Sequence, residues 1–289
     1  MRRLALMFMT SAVLASPTAA DDKAGGEQAA KDKRERLLEI YRNEAASYTI
    51  YRDASRKERL ELQHDPVYIW TNPVRSAGQD GAVFVWTCRG RAEVLATFFS
   101  YPATGPRSLN HELHSLSRSV LDVTRSGTHT WTPTAPGVEL KPIAGAPLPA
   151  SSPSQRLIQM RALNREFTAG TRDKEDKRWE LRLLPKPLYR YESTDPDLLD
   201  GAVFAFVSTA GTDPEIVLVL EARRPSAGGE PAWHYALARF TDLHFWVRHQ
   251  GKEVHSGELI PHNLPVQDPQ HRYRSFRDRG IPALEDDVP

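Results

Sequence analysis

The pentapeptide Asp80-Gly81-Ala82-Val83-Phe84 recurs 120 residues on as Asp200-Gly201-Ala202-Val203-Phe204. The match extends in both directions. Upstream, Arg59-Leu60-Glu61-Leu62 answers Arg178-Trp179-Glu180-Leu181, and Pro66-Val67-Tyr68 answers Pro187-Leu188-Tyr189. Downstream, Glu93-Val94-Leu95 answers Glu215-Ile216-Val217, while Val123 and Gly127 answer Val247 and Gly251. The offset drifts only from 119 to 124, as short loop insertions cause. Ordered matches at a near-constant offset read as one unit written twice. Such a chain must bury the same apolar pattern twice.

Each half begins with an amphipathic helix. Leu37, Leu38, Tyr41 and Ala45 fall at helical spacing in the first, and Leu157, Ile158, Met160, Leu163 and Phe167 in the second. Ser152-Pro153-Ser154 marks the second start. Runs rich in β-branched and aromatic residues follow, expected as strands over 59–64, 67–71, 82–87, 93–100, 109–117 and 120–124. Their counterparts are 178–184, 188–192, 202–207, 216–222, 233–241 and 245–249. Connections are short, so neighbours should pair antiparallel. The expected fold is α+β, an internal duplication of one amphipathic helix followed by an antiparallel β-meander. The first repeat is read over 31–140, a Pro/Ala-rich linker over 141–153 and the second repeat over 154–265.

The ends carry other signals. Met1-Arg2-Arg3, the apolar run from Leu4 to Ala15 and Ser16-Pro17-Thr18-Ala19-Ala20 form the succession of a secretory signal peptide, residues 1–20. Residues 21–30 are expected to be a disordered lead-in and 266–289 a polar tail that leaves the globule. Localisation should be the periplasm or the extracellular medium. A net charge of +1 argues against nucleic acid as a partner. No second segment is apolar enough to span a bilayer, so no integral membrane protein is expected after signal removal. The single cysteine, Cys88, cannot form an intramolecular disulfide, and the chain must be held by its core.

The stretches Ile40-Tyr41-Arg42-Asn43-Glu44-Ala45, Phe84-Val85-Trp86-Thr87-Cys88-Arg89-Gly90 and Trp179-Glu180-Leu181-Arg182-Leu183-Leu184-Pro185 resemble a family of uncharacterised secreted bacterial proteins of the planctomycete type. The resemblance covers most of the chain beyond the signal peptide and implies no activity, cofactor or site residue. The helix-then-meander order also resembles cystatin-like folds, a likeness of architecture that does not fix function.

No motif carries a reaction. His111-Glu112-Leu113-His114 has histidines three apart on a predicted strand, where they point to opposite faces. The expectation is no shared metal, and a fold that survives loss of both rings. His244, His249, His255, His262 and His271 are scattered over a charged region. Glu61 and Glu180 match between the halves and read as solvent-facing. Asp195-Pro196-Asp197-Leu198-Leu199-Asp200 lacks calcium-loop spacing and reads as turns. Tyr68, Trp70, Tyr189 and Tyr191 lie on adjacent strands and form the candidate ligand or partner surface. The expectation is an exported, non-catalytic binding or interaction protein without a cofactor, taking a protein, peptide or glycan. An extracytoplasmic hydrolase using His111, Glu112 or Glu61, and an envelope structural protein, are the alternatives.

Overall fold

The computed structural model describes residues 19–225, 228–261 and 271–284. The chain divides into a short unit, Met1–Leu38, and a large one, Glu39–Pro289. Helix α1 (Ala19–Ala46) begins in the first and ends in the second. All the strands lie in the large unit. Before helix α2 (Pro153–Asn164) come β1 (Tyr48–Tyr51), β2 (Glu61–Leu62), β3 (Tyr68–Asn72), β4 (Gln79–Cys88), β5 (Arg91–Tyr101), β6 (Arg107–Ser115), β7 (Asp122–Arg125), β8 (Thr128–Trp131) and β9 (Lys141–Pro142). After it come β10 (Phe167–Arg172), β11 (Arg178–Glu180), β12 (Arg182–Leu183), β13 (Tyr189–Tyr191), β14 (Leu198–Val207) and β15 (Pro214–Arg223). The chain continues through β16 (Ala232–Arg239), β17 (His244–His249), β18 (Lys252–Gly257) and β19 (Tyr273–Ile281). The fold is therefore mixed but mostly strand, and the named strands pair antiparallel.

Two six-stranded sheets dominate. One runs β19-β6-β5-β4-β2, with β3 also on β4; the other runs β9-β16-β15-β14-β12, with β13 also on β14. Two small sheets, β1-β7-β8 and β11-β10-β17-β18, complete the set. The end strand of each large sheet comes from the other part of the chain. β9 precedes α2 yet pairs with β16, and β19 follows β18 yet pairs with β6.

The large sheets meet face to face. Val83, Val85 and Leu95 of one share a buried core with Val203, Ala205, Val217 and Val219 of the other. The opposite face of the second sheet, with Phe204, Phe206 and Leu218, is covered by Met160 and Leu163 of α2 and by Phe167 and Val247. On the opposite face of the first, Phe84 packs on Phe98, and Tyr48 of β1 on Trp86 and Phe98. The Tyr41 hydroxyl of α1 donates to the Asp80 carbonyl oxygen at 2.8 Å. Because β4, β5, β14 and β15 are buried on both faces, they read as continuous apolar runs rather than alternating ones.

The two pentapeptides open β4 and β14 in the same way. Gly81 lies beneath the Trp70 ring and Gly201 beneath the Tyr191 ring, where an added Cβ would stand 2.3 and 2.4 Å from ring carbon. Helix α2 starts on the expected cap, with the Gln155 amide donating to Ser152 Oγ at 3.3 Å.

Several boundaries differ from expectation. Residues 21–30, expected to be disordered, lie within α1; Ala, Glu, Gln and Lys outweigh the two glycines there. The linker 141–153 contributes β9 and the first residue of α2. The described part of the expected tail, 271–284, does not leave the globule, because β19 pairs with β6 from Tyr273↔His114 to Ile281↔Arg107; the rest of 266–289 lies outside the described residues. Its polarity hides a strand whose inward side chains face a polar space. Glu61 and Glu180 are not matched in register: Glu61 pairs with Thr87, whereas Arg182 faces Val207. The signal-peptide reading falls on 1–20, almost all outside the described residues.

Phe84 and Phe204 are both fully buried on corresponding strands. Truncation of either to Ala should cost about 3–5 kcal/mol in urea unfolding, the range for a core aromatic.

Candidate functional site

Antiparallel pairing places cross-strand partners on one face. The registers Leu95↔His114↔Tyr273, Thr97↔Glu112↔Ser275 and Phe99↔Asn110↔Arg277 therefore put all these residues on the inner face of the first large sheet, the face that carries Val83 and Val85. In the second sheet the residues facing Val217 and Val219 are Ala238 and Ala236. At this level the second inner face stays apolar over β16, whereas the first turns polar over β6 and β19. There the sheets leave a cleft of about 950 Å³.

Phe99, Tyr101, Asn110, Glu112, Tyr273 and Arg277 form one wall of the cleft. Asp213, Pro214 and the segment Phe240–Leu243 stand among its other lining residues, with Trp70, Arg75 and Gln79. Arg239 fixes the 240–243 segment by donating to the carbonyl oxygens of Thr241, Leu243 and Glu258 at 2.9, 3.0 and 3.0 Å. Its guanidinium also lies 5.3 Å from the Tyr273 ring centre. Trp70 Nε1 donates to Thr97 Oγ1 at 2.9 Å.

The charges are unevenly matched. Arg75 donates to Asp213 Oδ2 at 3.0 Å and to Glu215 Oε1 at 2.8 Å, and Asn72 donates to Asp213 Oδ1 at 3.0 Å. Glu112 has no such cation. It accepts the Tyr273 hydroxyl, its one hydrogen bond among the described residues. Burial pushes the Glu112 carboxyl up to about 8; the Tyr273 bond opposes the shift, while Asp242 and Glu215 add to it. Burial also raises Glu215 to about 7, with Arg75 opposing and Asp213 assisting. The cleft lining thus holds one carboxyl poised near neutrality, Glu112, while Glu215 is buried behind Arg75.

His111 and His114 do point to opposite faces. His114 stands on the inner face, 6.1 Å from the Tyr273 ring centre. His111 stands on the outer face, its Nδ1 2.8 Å from the Tyr48 hydroxyl. Burial holds both neutral, pushing each down to about 3. Their exposures are 0 and 2 %, so loss of both rings opens a cavity on each face instead of leaving folding nearly intact.

Glu44, His111 and Asp278 form the one metal-like donor group among the described residues, with their ligand atoms within 4.8 Å of one another. Arg125 Nη2 already donates to Glu44 Oε2 at 2.7 Å and to Asp278 Oδ2 at 2.8 Å, and Arg279 donates to Glu44. A metal would enter against two guanidinium groups, so the cluster fits a charge-compensated structural role. A second buried network sits between the sheets. Arg91 Nε and the Tyr191 hydroxyl donate to Glu221 Oε1 at 2.8 and 2.7 Å, and Arg223 to Oε2 at 2.8 Å. Burial alone would raise Glu221, but Arg91, Tyr191 and Arg223 together hold it below its ordinary value.

The aromatic surface expected at Tyr68, Trp70, Tyr189 and Tyr191 is not an open face. Tyr191 is buried on Glu221, and Tyr68 and Tyr189 pack against the intersheet core. Trp70 alone lines the cleft. Glu61 and Glu180 are exposed. His249 pairs with Glu166 at 3.0 Å and His244 lies 3.5 Å from Glu258, so the later histidines do not converge; His262 lies outside the described residues. The Asp195 loop is built of turns, with the Asp197 amide donating to Asp195 Oδ1 at 3.0 Å. The period-two set Asn110, Glu112 and His114 was the available signal for the cleft. It reads as a solvent face once β19 is missed.

Protein-family models, curated proteins and solved structures offered no match to the chain. Among the described residues no helix is long and apolar enough to cross a membrane.

Glu215 favours its protonated form in the fold, so its contribution to stability is present below the ordinary 4.5 and is lost as pH rises through about 7. Arg75→Ala should deepen that loss. Because Arg75 also pairs with buried Asp213, the variant should already be less stable than the wild type near pH 5, and the gap should widen to ~2 kcal/mol or more at pH 8, discounted because Arg75 is partly exposed. Urea unfolding at the two pH values checks this.

Proposed function

We propose that this is an exported, non-catalytic binding protein, and that a small ligand enters the cleft at the polar end of the first large sheet. One observation carries the reading. Glu112 is only 9 % exposed, makes no ion pair among the described residues and lines a roomy cleft. Burying a carboxyl in this way costs stability unless something compensates it. The equivalent step of the second sheet has Ala236, so the architecture itself does not require a carboxyl there. Mixed aromatic and polar lining is the usual character of a ligand site.

The same reading treats the chain as a duplicated unit. The matched strand orders, the glycines under Trp70 and Tyr191 and the reciprocal placing of β9 and β19 support it. Two copies kept one packed interface, and β6 of the first diverged to line a cleft. Export rests on Met1–Ala20; an N-terminus near Asp21 in mass spectra of exported protein would support it, and an intact Met1 would oppose it.

A fragment screen by ligand-detected NMR tests the cleft. Bound fragments should shift the amides of Phe99, Asn110 and Glu112, and Asn110→Trp should abolish binding by filling the space. Absence of hits, or hits indifferent to Asn110→Trp, would contradict the reading. A hydrolase is the second reading, favoured by a near-neutral Glu112 in the same cleft as Asp213, as a general acid requires. Turnover of a bound ester or glycoside that disappears in Glu112→Gln would select it.

A further inference from the structure

We propose that the cleft recognises a primary ammonium group, carried on a small scaffold with an apolar side; this rests on the cleft being the ligand site. Three features carry the inference. The first is the cation shortage at Glu112. Arg75 is committed to Asp213 and Glu215, and Arg239 to three carbonyl oxygens. Arg277 is exposed and makes no ion pair with Glu112 among the described residues. The Tyr273 hydroxyl occupies one oxygen of Glu112, and the other accepts no hydrogen bond.

The second feature is the lining. Phe99 and Tyr101 present rings on the wall that holds Glu112, and aromatic faces attract cations. Asp242, on the 240–243 segment, adds a further carboxyl to the lining.

The third is selectivity. An anionic ligand would gain nothing from ionisation of Glu112 and would hold it in its protonated form. A neutral hydroxyl could hydrogen-bond to Glu112 but would not drive its ionisation, and so would forgo the charge-assisted bond. Charge-assisted hydrogen bonds are roughly twice as strong as neutral ones. An ammonium group supplies both the donor and the charge.

The groups facing Glu112 are Tyr273 on β19, His114 beside it on β6, Asp242, Glu215, Arg75 and Arg239. Tyr273 and His114 are both held neutral by burial. Of the carboxyls raised by burial, Glu112 is the one that lines the cleft and can change charge when a cation arrives there. Binding near pH 7 should therefore release a proton from it.

Calorimetric titration of the full-length chain at pH 7 tests the proposal with two matched pairs of probes. N-acetyl-lysine amide is set against N-acetyl-norleucine amide, and glucosamine against glucose. The ammonium member of at least one pair should bind about tenfold more tightly than its neutral twin, with proton release. The pair that responds distinguishes a peptide-type from an amino-sugar source. Glu112→Gln should erase the preference. If that variant fails to fold, the comparison of twins on the wild type still decides. Equal binding of the twins would overturn the ammonium assignment and leave the cleft reading intact. No binding by any of the four would also overturn it, while the Asn110→Trp experiment judges the cleft separately.

Discussion

The packing of β4 and β5 against β14 and β15 is the constraint on which the rest of the structure depends. Val83, Val85 and Leu95 lie against Val203, Ala205, Val217 and Val219 with almost no exposure. Each strand also buries its opposite face, under β1 and α1 on one side and under α2, β10 and β17 on the other. A strand buried on both faces tolerates no charge at its centre. Polar groups are consequently pushed to the margins of the interface. Arg91 with Glu221 marks one margin, and Arg75 with Asp213 and Glu215 another.

The margin around Arg75 is where the sheets cease to match. Ala236 and Ala238 keep the second inner face apolar, whereas Glu112 and His114 make the first polar. Each large sheet also needs an end strand from elsewhere, but the two supplements differ in length. β9 covers two residues and β19 nine. The longer one extends the first sheet and brings Tyr273, Ser275 and Arg277 onto the face that walls the cleft. The same strand that completes the sheet thereby supplies the hydroxyl bound to Glu112.

Much of the scaffold was legible in the sequence because its strands are apolar. The runs at 82–87, 93–100, 202–207 and 216–222 sit within β4, β5, β14 and β15, and the cap at Ser152 opens α2 as expected. What escaped was polar or short. β1 and β10 follow directly on helices whose apolar spacing runs into them. β19 carries Arg274, Arg277, Asp278 and Arg279 among its nine residues and shows no apolar alternation, because one of its faces meets a polar cleft, so its sequence reads as a tail. Without β19 the sequence offers β6 no partner beyond β5, and nothing marks Asn110 and Glu112 as facing a cleft. The aromatic residues drew attention to Tyr68, Tyr189 and Tyr191, whose rings serve the intersheet core; only Trp70 reaches the cleft.

A buried carboxyl without a cation is the central claim, and its titration tests that claim most directly. Carbon-13 NMR of the labelled glutamate side chains, with Glu112 assigned through Glu112→Gln, would follow the carboxyl in the unliganded protein. The account predicts a midpoint near 8, well above the ordinary 4.5. A midpoint at the ordinary 4.5 would mean that Glu112 is solvated or paired, and would contradict the account.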